Sequence, residues 1–80
     1  MNVCVRLFGP AAEWAGEAQA TLDIAPGTTL GGLAGEIARR WPRVGNAPGM
    51  RLALNRQFVA LDRIVAEGDE VAVIPPVSGG

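Results

Sequence analysis

Hydrophobic and polar residues alternate at both ends of the chain and predict β-strands there. In the opening stretch VCVRLFG, apolar residues recur at every second position and would share one strand face: Val3, Val5 and Leu7. The opposite face would carry the intervening residues: Asn2, Cys4, Arg6 and Phe8. The stretch AQATLDI repeats the alternation and predicts a second strand, antiparallel to the first. Near the end, VAVI is apolar on both faces, as in a central strand, until Pro75 and Pro76 remove two backbone donors.

One amphipathic helix is predicted in the middle of the chain. The apolar residues of LGGLAGEIARRW fall on one helical stripe: Leu30, Leu33, Ala34, Ile37 and Trp41. Thr28 or Thr29 can cap the first turn with its hydroxyl. Pro42 disfavours helical geometry in the residue before it, so the helix should end there and give way to a loop as far as Gly49.

Shorter stretches complete the predicted fold. AAEWAG indicates one or two helical turns, and MRLALN indicates a strand. Asn55 and Arg56 indicate a tight turn into a short strand, QFVA, and a crossing segment follows. Because the first and last strands are the most apolar, we expect them side by side in the middle of a mixed sheet, with the helix across one face. This is an α+β fold of the β-grasp type. We expect it to occupy residues 1–74, with an extended C-terminal tail at residues 75–80.

Composition narrows the classes of function. Eighty residues with 49% hydrophobic content suit a single domain, and the net charge of −1 gives no basic surface for nucleic acid. No apolar run approaches the roughly 20 residues of a membrane span, and no leader pattern is visible, so we expect a cytoplasmic protein without membrane contact. With no histidine and a lone Cys4, neither a zinc cluster nor an internal disulfide is expected, and no bound cofactor.

The stretch PPVSGG at the end of the sequence raises a chemical possibility. The carboxylate of Gly80 would be ionised at neutral pH and is therefore a poor electrophile. Conversion to an acyl adenylate by a partner enzyme that uses ATP would supply the missing leaving group. Glycines fit a narrow channel, and Pro75 and Pro76 favour an extended course, so the tail could act as an arm with a reactive tip. The alternative is a loose end without function.

Residues 67–80, EGDEVAVIPPVSGG, together with VRLFG and LALNRQFV, resemble the small, sulfur-carrying subunits of molybdopterin synthase, a family of ubiquitin-like β-grasp proteins. The resemblance implies that an E1-like enzyme adenylates Gly80 with ATP and that a sulfur relay converts the adenylate to a thiocarboxylate. The large synthase subunit would then take the tail into its active site and transfer the sulfur to cyclic pyranopterin monophosphate. The tail residues concerned are Pro75, Pro76, Val77, Ser78 and Gly79. The large subunit would contribute most catalytic groups, in a heterotetramer of two small and two large subunits.

Three apolar residues are candidates for docking to that subunit, and we call them the docking patch: Phe8, Phe58 and Ile74. Phe8 and Ile74 fall on the sheet face opposite the helix, and Phe58 belongs to the neighbouring short strand. In a small sheet all three could be core residues. Alternatively, they form an exposed patch beside the tail, which would indicate docking because soluble monomers rarely leave such patches without a partner. The resemblance favours docking, since in that family apolar side chains of this sheet face meet the large subunit.

Other functions share the same tail. A related sulfur carrier could serve thiamine, cysteine or tRNA thiolation by identical chemistry. A ubiquitin-like modifier would join its last glycine to lysines of target proteins; all seven cations of this chain are arginine, so it could not form chains on its own side chains. A plain interaction domain would not need Gly80 at all.

Overall fold

A computed structural model of the chain describes residues 1–75, so residues 76–80 lie outside the described part. Its elements are β1 (Asn2–Leu7), α1 (Pro10–Ala15), β2 (Gln19–Asp23), α2 (Leu30–Arg40), α3 (Pro42–Gly45), β3 (Arg51–Leu54) and β4 (Glu70–Ile74). None of the helices in this part of the chain is long and apolar enough to span a membrane.

The strands form one mixed sheet in the order β2-β1-β4-β3. β1 and β4 are parallel neighbours at the centre, and β2 and β3 pair antiparallel at the two edges. The predicted central position of the first and last strands is therefore confirmed. It follows from their composition, since a central strand buries more of its surface than an edge strand.

The helix α2 covers one face of the sheet, which we call the inner face. Its stripe of Leu30, Leu33 and Ile37 is buried in one cluster with the alternate strand residues Val3, Val5, Leu7, Leu22, Leu54, Val71 and Val73. Thr29, rather than Thr28, caps the helix, because its Oγ1 accepts a hydrogen bond from the Gly32 amide at 3.1 Å.

The residues after α2 differ from the prediction, because Pro42 begins a short helix instead of a loop. Proline is well suited to a first helical position, where its fixed φ is already helical and an amide N–H would have no intrahelical partner. Val44 of this helix is fully buried. At Gly45 the backbone comes so close to α2 that an added Cβ would lie 2.6 Å from the Cβ of Ala38. Only glycine allows the two helices to approach this closely.

The prediction of a short strand at QFVA is wrong, which is the second difference from the sequence analysis. Only Gln57 pairs with β3, through an isolated bridge to Leu54, and the chain then leaves the sheet. The crossing segment instead uses its carbonyl groups at the start of α2, where Leu61 O accepts the Gly31 amide at 2.9 Å. These bonds satisfy the carbonyl groups of Leu61 and Arg63 and the free amides of the helix N-terminus without a further strand pairing.

The predicted turn at Asn55 and Arg56 is confirmed and ties two strands together. Both residues have positive φ, 49° and 70°. The Asn55 side chain accepts a hydrogen bond from the Glu70 amide and donates one to Asp69, each at 3.0 Å. The turn after β3 is thus fixed to the first residue of β4.

Candidate docking face and tail exit

The face of the sheet opposite α2, which we call the outer face, carries the alternate residues that do not enter the core. In β1 and β4 these include Arg6, Ala72 and Ile74, and the strand register places Arg6 beside Ala72 and Ile74 beside Arg51. Their side chains are half-buried or exposed, in contrast to the residues between them. The outer face therefore remains open to a partner.

Phe8 and Ile74 of the docking patch lie at the end of this face where β4 finishes, and Phe58 lies against Arg51, the first residue of β3. Phe8 is 46% exposed and Phe58 is 55% exposed, whereas Ile74 is half-buried. Leu7 pairs with Val73 in the parallel ladder, so the next residues along the chain, Phe8 and Ile74, follow side by side. Neither phenylalanine belongs to the buried core, so the core interpretation is wrong for both. Their role in docking stays a prediction.

Each exposed phenylalanine of the patch has an arginine over its ring. The guanidinium carbon of Arg51 lies 3.8 Å from the ring centroid of Phe58, and that of Arg6 lies 5.8 Å from the centroid of Phe8. Such cation–π contacts hold the guanidinium in place. Sequence reasoning missed both arginines as part of the patch. Strand alternation places Arg6 on the same face as Phe8, but the contact of Arg51 with Phe58 depends on the turn between them.

The tail starts beside the patch. Pro75 follows β4 directly, and a Cβ added at Gly9 would lie 3.8 Å from the Pro75 ring. Gly9 has φ of 53°, a conformation that glycine adopts without strain, and it leads into α1. The tail therefore leaves the sheet next to Phe8. The other tail residues proposed from the sequence, Pro76, Val77, Ser78, Gly79 and Gly80, lie outside the described residues.

The thiol of Cys4 and the carboxylate of Asp69 belong to the part of the sheet where β4 begins. Cys4 is half-buried on the outer face, opposite Glu70 in the ladder. Asp69 accepts the Ala66 amide at 2.7 Å and so stabilises the turn before β4. In residues 1–75, no three His, Cys, Asp or Glu residues are grouped as they would be around a metal ion.

Two further apolar residues are exposed that the sequence analysis did not single out. Leu61 and Ile64, in the crossing segment, are 63% and 61% exposed. Ile64 bridges to Thr29 at the start of α2, away from the docking patch. The segment has no regular alternation that could have shown which of its apolar residues point outwards.

A mixed sheet with parallel central strands, one main helix across a single face and a tail that continues from a central strand defines a ubiquitin-like β-grasp protein. Within that class, residues 5–80 match the ThiS family, and the chain belongs to this family. It is also 30% identical to the molybdopterin synthase sulfur carrier subunit of Mycobacterium tuberculosis, in an alignment that covers 100% of this chain and 99% of the relative.

Two solved structures share the complete fold. Small archaeal modifier protein 1 of Haloferax volcanii has a TM-score of 0.85 and 30% identity, with 100% of both chains covered. A chain from the complex of subunits 1 and 2 of molybdopterin-converting factor from Helicobacter pylori has a TM-score of 0.71 and 26% identity, again over 100% of both chains.

Proposed function

We propose that this protein is a sulfur carrier in molybdopterin biosynthesis. The main support is the match to the ThiS family, which runs through to Gly80, together with the similarity to sulfur carrier subunits over the whole chain. The position of the tail adds to it, since β4 brings Pro75 out beside the exposed Phe8. The globular part would hold a partner while the last residues reach the partner's active site.

The chemistry is proposed to centre on the carboxyl group of Gly80. An E1-like enzyme joins this carboxylate to AMP from ATP and releases pyrophosphate. Sulfide from the sulfur donor then attacks the acyl carbon, so that a C–S bond forms as the bond to AMP breaks, and a thiocarboxylate remains. The tail donates this sulfur to cyclic pyranopterin monophosphate in the large subunit, and the carboxylate formed again can be reloaded. No side chain of this protein needs to act as acid or base, in keeping with the absence of histidine.

The large subunit is proposed to dock on the patch of Phe8, Phe58 and Ile74. The H. pylori neighbour is part of a complex of subunits 1 and 2, which favours such a partner for this chain. An apolar cluster beside the tail is suited to this role, because central aromatic residues carry much of the affinity of protein interfaces.

The experiment is intact-mass analysis after treatment with the adenylating enzyme, ATP and a sulfur donor. The wild-type protein should gain the mass difference between sulfur and oxygen, and the product should then support conversion of the precursor by the large subunit. A variant that lacks Gly80 and a variant with one additional residue after Gly80 should fold normally but give neither result. Exchange of oxygen for sulfur in the extended variant, or its absence in the wild type, would contradict the proposal.

A second candidate is a protein modifier, favoured by the similarity to the archaeal modifier. Both functions require adenylation of Gly80, so adenylation alone does not separate them. A modifier would appear in cell extracts as larger species joined through Gly80 to lysines of other proteins. A carrier for thiamine, cysteine or tRNA thiolation would form the thiocarboxylate but would not complete the pterin product with the large subunit.

A further inference from the structure

Arg51 differs from the other arginine at the docking patch. Arg6 lies 3.7 Å from the Glu70 carboxylate, so part of its charge is already compensated within the protein. Within residues 1–75, Arg51 has no carboxylate at ion-pair distance, and the Phe58 ring is its close neighbour instead. An exposed cation is thus held on an aromatic ring without an acidic partner.

The position of Arg51 over the ring leaves its hydrogen-bonding groups accessible. The residue is exposed, and its guanidinium carbon lies 3.8 Å from the centroid of Phe58, so N–H donors that do not face the ring can reach a partner. Arg51 also borders a shallow, mainly apolar groove of about 330 Å³, with Met50, Leu52, Phe58 and Leu61 in its lining. The donors are therefore open to an incoming group, and the long side chain is already restricted before binding.

The position of Arg51 relates this cation to the tail. Its backbone pairs with Ile74, the last residue of β4, and Pro75 follows directly. A group bound by Arg51 would therefore lie next to the point where the tail leaves the sheet. An interaction at this point would orient the partner so that the tail can enter the partner's active site.

We propose that Arg51, stacked on Phe58 beside the tail exit, is the polar anchor of the docking face and receives a carboxylate from the partner. This inference rests on the proposed docking to the large subunit. The partner surface should present an aspartate or glutamate next to the apolar surface that covers Phe8 and Phe58. The pair would be weak while exposed to water, but docking removes water from it, and a planar two-point contact then gives both affinity and direction.

The test measures affinity for the large subunit of the same organism at several salt concentrations. Arg51→Met keeps an unbranched side chain against Phe58 but loses the charge, and it should weaken binding about tenfold or more and reduce the salt dependence. Arg51→Lys keeps the charge but loses the planar donors, so its affinity should lie between that of the wild type and that of Arg51→Met.

The matched control is Arg43→Met. Arg43 is stacked on Trp14 with 4.7 Å between guanidinium carbon and ring centroid, but it belongs to α3 on the helical side of the sheet. Its replacement should leave affinity and salt dependence unchanged. If Arg51→Met binds as well as Arg43→Met while Phe58→Ala weakens binding, the anchor is wrong and docking stands. If the wild type does not bind at all, both the docking proposal and the proposed role of Arg51 are wrong. The intact-mass experiment still tests the chemistry of Gly80 independently.

Discussion

The inner and outer faces of the sheet are made by the same strands but have opposite properties. On the inner face, Val5, Val71 and Val73 have no exposed surface and pack below α2. On the outer face, the residues between them are half-buried, and the end next to the tail has two exposed phenylalanines. Both faces share one backbone, so the difference comes from the side chains on each face and from α2, which covers only the inner one.

The contrast shows how a small protein can assign stability to one face of its sheet and binding to the other. Residues 1–75 have one core cluster, which joins α2 to the buried side chains of the inner face. The outer face is not required to complete that core, so its side chains can be chosen for a partner. Substitutions on the inner face should therefore change folding, and those at the docking patch should change binding.

The largest effect is expected from Leu33→Ala on the inner side. Leu33 is fully buried in α2, and its truncation should lower the free energy of unfolding by about 2–5 kcal/mol, because it removes apolar contacts and leaves a cavity. Denaturant unfolding measures this loss. For the fraction that stays folded, affinity for the large subunit should be close to wild type; a stable variant with weakened docking would break the proposed separation.

A smaller effect is expected at the docking patch, and it should appear in binding affinity rather than in the free energy of unfolding. Phe8→Ala or Phe58→Ala should weaken binding to the large subunit about 10- to 100-fold, because a desolvated aromatic contact is lost. The free energy of unfolding should change by less than about 1 kcal/mol, since both rings are exposed. Ile74→Ala should also weaken binding, with a larger cost in stability because this residue is half-buried.

Ile64→Ala is the control for the patch. Ile64 is as exposed as the phenylalanines but lies beside Thr29 at the start of α2. Titration calorimetry with the large subunit should give the wild-type affinity for this variant. Equal losses at Ile64 and Phe58 would mean that binding follows general surface hydrophobicity rather than a defined patch.

The smallest effect is expected at the turn after β3, which belongs to neither face. Arg56 has φ of 70°, a left-handed conformation that is unfavourable for a residue with a side chain. Arg56→Gly should therefore raise the free energy of unfolding by about 0.5–1 kcal/mol and leave docking unchanged. Asn55→Ala is the counterpart: it removes two hydrogen bonds to Asp69 and Glu70 and should destabilise the protein. Thermal unfolding distinguishes the two; a less stable Arg56→Gly variant would contradict the explanation.

Much of this fold could be predicted because local pattern and tertiary packing agree. The alternation of Val3, Val5 and Leu7 and the stripe of Leu30, Leu33 and Ile37 identified the inner face from both sides. The high apolar content of the first and last strands was enough to place β1 next to β4. Side-chain chemistry that is largely local narrowed the capping residue to Thr28 or Thr29 and located the turn at Asn55.

The differences arise where distant parts of the chain decide the outcome. QFVA has the composition of a strand, but the segment after it lies at the start of α2, where its carbonyl groups accept hydrogen bonds from free amides of the helix. Pro42 ends one helix and begins another because Val44 finds a place in the core. The pairing of Arg51 with Phe58 depends on a turn and a strand edge together, so no local pattern could reveal it.

The central position of β4 also determines how the protein would respond to a pull on its tail. A strand at the sheet edge could be peeled away one hydrogen bond at a time. β4 is bonded to β1 on one side and β3 on the other, so tension applied beyond Pro75 would have to shear both ladders at once. The tail therefore leaves from a strand that is bonded on both sides, and a partner could pull on it without peeling away an edge strand.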